Sequence, residues 1–534
     1  MEVHFAFPTT RTDLLFQTSF PPRFYKSDQL LFQTYPWGCF SKMIKDYSPR
    51  VGWAIIEADT SPLQDHTIFF NSGKRLLQKL AFGLVPSFVQ RRLRPSPTKS
   101  NRLHPTSYLD GLRGVASFIV FMGHYTEETV GWYTEPYGLY EDKAPSSPLQ
   151  LPLLRVIYSP RPMVHIFFII SGYVLSYKPL KQIHSQQLLA LTTTLSSSVF
   201  RRALRLFLPS IVTLLIMAFA VYFDISDDRF APSFYSLSDQ MAHWWETCWG
   251  LLWASWAITD LSYPQPEYNP ALWTIPVEFA QSLLLFITIT GLSRCATNVR
   301  LLVLSSIIAF CFFGGQLYTV EFLGGMFIAE LTLLQNRSLF TPTSSPNLLP
   351  KFDQGEIQQT PKGCPTIRHH AMQAFWIANV VCGLFIASWT NNHQNEVWGI
   401  RFLDAHTPEP YEGQRVWFCL GAFQIVGACT QVKFLQNIFT TPIPQYLGNI
   451  SYALYLTHNL CLTILEPRVN PLLDDYFGKA TFWGRSLSWF GGLVVYLPII
   501  ICVADVFWRA VDTPTVKFAR WLEGKCVVTP IKPS

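Results

Sequence analysis

The sequence predicts an all-α protein, a polytopic membrane bundle of about ten transmembrane helices. Three observations carry this. Only 14% of the 534 residues are charged, against 49% hydrophobic and 15% aromatic, whereas soluble domains carry about 25% charge. Apolar stretches of spanning length recur from Leu109 onward. The remaining charges crowd into the segments between those stretches. The net charge of +6 is small for this length and argues against a nucleic-acid partner.

Residues 1–107 read as a cytoplasmic leader, with no stretch long enough to span. The first 30 residues mix aromatic, proline and charged positions, unlike a cleavable signal peptide. Within the leader, Lys74 to Arg94 interleaves apolar residues with Lys74, Arg75, Lys79, Arg91, Arg92 and Arg94. That pattern fits a basic amphipathic helix on a membrane surface, or equally a helix packed on the membrane domain. Residues 95–106 read as a linker, 108–515 as the membrane domain and 516–534 as a cytoplasmic tail.

The expected spans lie near 109–126, 162–179, 203–223, 271–291, 299–315, 317–334, 371–390, 414–432, 446–465 and 487–510. The Trp-rich stretch 243–260 contains Glu246 and could cross or lie at the interface. Loop charges bear on that choice, because Lys and Arg prefer the cytoplasmic side. Arg91, Arg92, Arg94, Lys99 and Arg102 precede the first span; Lys178, Lys181, Arg201 and Arg202 flank the second connection; Arg294, Arg300, Arg337, Lys351, Lys362 and Arg368 follow later. All fall on one side if 243–260 stays peripheral. This predicts ten spans, both termini cytoplasmic, and residence in the endoplasmic reticulum or another endomembrane. The Pro- and Ser-rich 335–370 loop contains the sequon Asn336-Arg337-Ser338, which this topology leaves unused.

The 11 cysteines form no framework: Cys311, Cys382, Cys419, Cys429, Cys461 and Cys502 sit in apolar runs. No CxxC or Cys/His ligand spacing is present, so no metal site is expected.

The first span holds the most chemistry. Asp110, Arg113 and His124 share it, and ionisable groups are costly in lipid, so they read as functional. Helical steps of about 100° return His124 to nearly the face of Arg113. The spacing lets all three point into one cavity, with roughly 16 Å of axial rise between Arg113 and His124.

Leu109-Asp110-Gly111-Leu112-Arg113-Gly114 with the following His124 resembles the opening signature of the acyltransferase-3 family, integral-membrane enzymes that move acyl groups from acyl-CoA onto hydroxyls. Further matches come in the family's order. Phe167-Phe168-Ile169-Ile170-Ser171-Gly172-Tyr173 is similar to its second-span motif. Arg202-Ala203-Leu204-Arg205 with Pro209 is similar to its basic motif. Leu272-Trp273-Thr274-Ile275-Pro276-Val277-Glu278 resembles its Leu-Trp-Ser/Thr…Glu element, and Gly448 to His458 its late Gly-x-x-Ser-Tyr-x-x-Tyr-x-x-His stretch. The resemblance covers about 105–515 and excludes the leader. The long leader and loops look most like fungal members, many of which tailor secondary metabolites. Val511-Asp512-Thr513-Pro514 departs from the pattern, since relatives often have Glu before the Pro motif; no role is assigned to Asp512.

Residue chemistry fits that implied activity. Acyl transfer to a hydroxyl needs a base, charge stabilisation for the tetrahedral oxyanion and a grip on the donor. His124 is the expected base, since imidazole exchanges protons near neutral pH. Arg113 would meet donor phosphates or the acyl carbonyl, with Asp110 beside it on the same face, or the two would form a structural ion pair. Arg202 and Arg205 would grip CoA phosphates bidentately, or anchor to anionic lipid. Glu278 needs a partner: His124 or His458 in a triad-like role, or an arginine. Ser451, Tyr455 and His458 share one helix face and could touch substrate or form a packing seam. Ser171 and Trp273 join the expected binding set. The Trp cluster at 244–256 could cap an acceptor pocket or anchor at the interface. Zinc-protease and nucleophile-elbow motifs are absent.

The sequence therefore predicts an acyl-CoA-dependent O-acyltransferase, with acetyl-CoA the expected co-substrate and no bound cofactor. The expected acceptor is a small-molecule hydroxyl such as a terpenoid or polyketide. A glycan or lipid hydroxyl is the alternative, as is direct transfer against an acyl-histidine relay. A transporter or flippase would also suit intramembrane charges, but no inverted repeat is visible. Oligomeric state is left open.

Overall fold

The computed structural model describes residues 82–93, 103–129, 133, 135–138, 146–226, 229–256, 265–340, 367–411, 413–478 and 481–527. Most of the predicted leader, linker 95–102 and the loop residues 341–366 lie outside the described residues. So do Glu141, Asp142, Asp227 and Asp228.

The described residues form helices and no strand. In chain order they are α1 (Ser87–Leu93), α2 (Ser107–Thr129), α3 (Pro160–His184), α4 (Leu188–Tyr222), α5 (Leu237–Trp253), α6 (Thr274–Leu292), α7 (Thr297–Phe313) and α8 (Leu317–Phe340). Then follow α9 (Ile367–Ala387), α10 (Trp398–Ala405), α11 (Arg415–Gln431), α12 (Lys433–Phe439), α13 (Pro442–Phe477), α14 (Phe482–Phe507) and α15 (Thr513–Cys526). Local signals mark several ends. Proline occupies the first turn of α3 and α13, where its missing N–H costs nothing. Ser236 and Thr481 cap α5 and α14 through their hydroxyls. Gly478, at φ +81°, stops α13 in a conformation that favours glycine.

Each predicted span falls on a helix, but ten membrane crossings are not established. Among the described residues, six helices are long and apolar enough to cross, or seven if α11 and α12, bent by 98°, make one span. The shortfall has physical causes. α7 and α11 have only 17 residues each. α2 and α13 are long enough, yet polar and ionisable groups run through them. Of the Trp-rich stretch, 257–260 lie outside the described residues and 243–253 belong to α5, of 17 residues, with Trp245, Trp249 and Trp253 exposed on one side. At about 25 Å it is shorter than a hydrocarbon core.

Two apolar cores meet at α2. Leu109, Leu112, Ala116 and Val120 face the core built with α3, α6, α8 and α11. Phe121, Met122 and Tyr125 face the core built with α4, α13 and α14. Close helix contacts need glycine here. A Cβ at Gly114 would strike the backbone at Leu447 and Gly448, and one at Gly448 would strike the Asp110 carbonyl. α3 and α8 approach in the same way, through Gly172 against Phe322 and Gly325 against Ile169. The Ser171-Gly172 pair of the second-span motif is therefore a packing device, and Ser171 does not line the cavity described below.

The end of the predicted basic element packs on the bundle. The Ser87 backbone N–H and hydroxyl both donate to the buried Asp505 carboxylate, at 3.1 and 2.6 Å. Arg509 donates to the Val85 carbonyl, and Phe88 sets its edge against Tyr446.

Replacing Gly114 by leucine should destabilise the folded protein by at least about 1–3 kcal/mol, because the opposing atoms are backbone and cannot move aside. Thermal unfolding of the purified variant in detergent checks this; an unchanged midpoint would refute the packing account.

Candidate functional site

α2 and α13 run parallel in a single register. The Ser117 hydroxyl donates to the Ser451 carbonyl at 2.8 Å. One further stretch along the same pair, the His124 ring stacks on His458, with centroids 5.3 Å apart and planes 20° from parallel. His458 is fully buried, with Nδ1 3.2 Å from the Leu454 carbonyl. Its Nε2 has no partner among the described residues. The side chain of His124 is 36% exposed, and Nδ1 lies 3.7 Å from Glu127.

That exposure opens into a cavity of about 700 Å³. His124, Glu127, Trp273, Tyr318, Tyr455 and His165 are among its lining. It is built where the last turns of α2 meet the first turns of α3, α8 and α11 and the middle of α13. Tyr455 donates to the Ala271 carbonyl and lies 2.7 Å from the Thr274 hydroxyl. This fixes the start of α6 and sets Trp273 in the wall. Trp273, Tyr455 and His124 thus meet in one cavity.

Asp110 and Arg113 do not join them. They pair at 3.3 Å across one turn, and Arg113 also reaches the Gly448 carbonyl at 3.4 Å. The reason is axial: facing the same way does not shorten roughly 16 Å of helix. The expectation that all three enter one cavity is corrected accordingly. Arg205 is exposed at the same end as Arg113, within electrostatic reach of Arg113, Arg202 and Asp512. Asp512 ends a π-helical turn, Trp508–Asp512, and lies within electrostatic reach of Arg205 and Arg113, a placement not expected from its motif.

Glu278 settles on an arginine. It pairs with Arg202, whose Nε donates to the Ser282 hydroxyl at 3.0 Å, and both partners are largely buried. A triad role for Glu278 beside His124 or His458 is thus corrected: the carboxylate is taken up one helix away. Arg202 is correspondingly committed to α6, which leaves Arg205 the accessible member of the predicted phosphate grip. Ser451 donates to the Gly448 carbonyl, so it belongs to the α2–α13 seam rather than to the cavity.

Several charged residues escaped sequence reasoning. His165 lines the cavity with Nδ1 against the carboxylate of Glu321, which is completely buried. Glu466 pairs with Arg229 at 3.0 Å on the same cavity wall. Deeper in the bundle, Glu330 takes Arg300 at 2.5 Å and His184 at 3.1 Å. The available signal was the cost of an ionisable group inside an apolar span, which applied to His165 and Glu321 as much as to His124. No group of His, Cys, Asp and Glu among the described residues could hold a metal ion.

A cavity walled by histidine and aromatic residues, inside a bundle of apolar helices and apart from a basic cluster at the opposite end of α2, suits an integral-membrane acyltransferase. The chain belongs to the acyltransferase-3 family: the family's acyltransferase domain matches residues 106–509. It is similar to the O-acetyltransferase PaAT-1 of Phomopsis amygdali, at 28% identity over 83% of this chain and 90% of that protein. Acyltransferase clz18 of Cochliobolus lunatus is 26% identical over 77% of this chain and 94% of its own. Acyltransferase R4 of a Phoma species is 26% identical over 67% and 83%. No solved structure matches the chain.

Removing one member of the buried Arg202–Glu278 pair should cost about 3–5 kcal/mol, because the other charge is left in the bundle without its counter-ion. Glu278→Ala should therefore unfold earlier than wild type, and the double variant Arg202→Met/Glu278→Leu should recover most of the loss. Equal unfolding midpoints for wild type and Glu278→Ala would refute this.

Proposed function

We propose that this protein transfers an acyl group, acetyl in the first instance, from acyl-CoA to a hydroxyl of a small molecule. The supporting observation is His124 in the wall of a cavity of about 700 Å³, at the far end of one helix from the arginine cluster. In this reading the CoA phosphates meet Arg113 and Arg205, guanidinium being suited to bidentate phosphate binding. The acyl end reaches His124, and the acceptor occupies the cavity beside Trp273 and Tyr455. His124 either takes the hydroxyl's proton or carries the acyl group itself. Its stacking on His458 and the nearby Glu127 hold the ring in place. The similarity to the O-acetyltransferase PaAT-1 supports acetyl as the group transferred, and the fungal relatives support a secondary-metabolite acceptor. The protein would reside in an endomembrane with both termini cytoplasmic.

His124→Ala should lower acetyl transfer by about 10²–10⁴-fold with normal expression. Membranes supplied with labelled acetyl-CoA and a panel of terpenoid and polyketide alcohols provide the assay, and retained activity would overturn the assignment. Arg113→Ala/Arg205→Ala should raise the KM for acetyl-CoA by about 10–100-fold, the worth of one or two charge-assisted hydrogen bonds, with little change in the KM for acceptor. A change confined to the acceptor would remove the phosphate grip.

A further inference from the structure

The cavity contains a second imidazole, and it is the better backed of the two. His165 sits on α3, across the cavity lining from α2, with Phe418 packed against its ring at 5.8 Å. Its Nδ1 meets Glu321 Oε1 in a short contact. Glu321 is 0% exposed, and its second oxygen has no partner among the described residues. With Nδ1 engaged, Nε2 is the nitrogen left to serve the cavity that the ring lines. His124, by contrast, meets its carboxylate only at 3.7 Å, within one turn of its own helix. A carboxylate behind an imidazole fixes its tautomer and stabilises the imidazolium that forms when it takes a proton. A buried carboxylate with one unpartnered oxygen is costly to keep, and here the imidazole that engages it also borders the cavity.

We propose that His165, positioned by Glu321, takes the proton from the acceptor hydroxyl. The inference rests on the acyltransferase reading above and assigns a residue that reading leaves out. The acceptor oxygen attacks the acyl carbon. The new C–O bond forms as the bond to the leaving group breaks, and the hydroxyl proton passes to His165 Nε2. Glu321 holds the resulting imidazolium. CoA leaves as thiolate and recovers the proton from His165 through solvent, so the cycle closes with free thiol, ester and both histidines neutral. His124 is thereby released to act on the thioester itself.

Two acceptors that differ in their need for a base test this without knowledge of the natural substrate. Full-length protein in phosphatidylcholine nanodiscs receives acetyl-CoA with water alone or with hydroxylamine. Water requires deprotonation as it attacks, whereas hydroxylamine is a strong neutral nucleophile. Thiol release and acetohydroxamate formation are measured above the uncatalysed background. In His165→Gln, hydrolysis should fall about 100-fold, the ordinary contribution of a general base, while hydroxamate formation falls less than about fivefold. Glu321→Gln keeps the hydrogen bond without the charge and should lie between wild type and His165→Gln for hydrolysis. Unchanged hydrolysis in His165→Gln, or a parallel loss of both products, would overturn the proposal; the parallel loss would assign His165 a structural role. If wild type forms neither product from acetyl-CoA, the acyltransferase reading itself fails, a result distinct from failure of His165 alone.

Discussion

The close parallel contact between α2 and α13 is the constraint on which the rest of the site depends. Gly114 and Gly448 let two backbones touch where any side chain would hold them apart. Once they touch, the Ser117–Ser451 hydrogen bond and the His124–His458 stack follow in the same register. The contact also divides α2 between two apolar cores, so the helix cannot rotate without exposing one of them. His124 is held toward the cavity by packing on both sides. The glycines of the opening signature serve this geometry, and only its histidine reaches the cavity.

Buried charge is organised by the same economy. Arg202 and Glu278 join α4 to α6; Arg300, Glu330 and His184 join α7, α8 and α3. Each ion finds its partner on another helix, since an isolated charge in an apolar bundle would cost several kcal/mol. Asp505 does similar work at the bundle's edge, where it accepts from Ser87, Tyr446 and Arg509 together. His165–Glu321 differs in one respect: the pair is buried, yet its imidazole borders open space. That difference separates a pair that holds helices together from one able to exchange a proton with a ligand.

Length separates the two halves of the chemistry. The cluster of Arg113 and Arg205, with Asp512 beside them, lies near the start of α2, and the histidine cavity near its end. A donor with a long flexible arm between its charged head and its reactive acyl group suits such a spacing, which a compact donor could not bridge. The fold thus places an arginine cluster at one end of α2 and a histidine-lined cavity at the other.

Much of this was legible from residue order. Hydropathy placed a helix at every predicted span, and the motifs around His124, Trp273 and Tyr455 named residues that do meet in one cavity. Arg113 and Asp110 were correctly identified as unusual but misplaced, because helical periodicity reports the direction a side chain faces and not how far along the axis it sits from its neighbours. The partners of Glu278 and the pairing of His165 with Glu321 were illegible for a related reason. Each joins residues far apart in the chain, 76 and 156 positions respectively. Such pairings depend on the rotation and offset of one helix against another. Residue order was enough for the helices and their apolar faces, since those follow from local composition and spacing, and for the motifs that mark the family. Only the tertiary structure decided which charges neutralise one another and which histidines border the cavity, because close glycine contacts set the register between helices and no single helix encodes it alone.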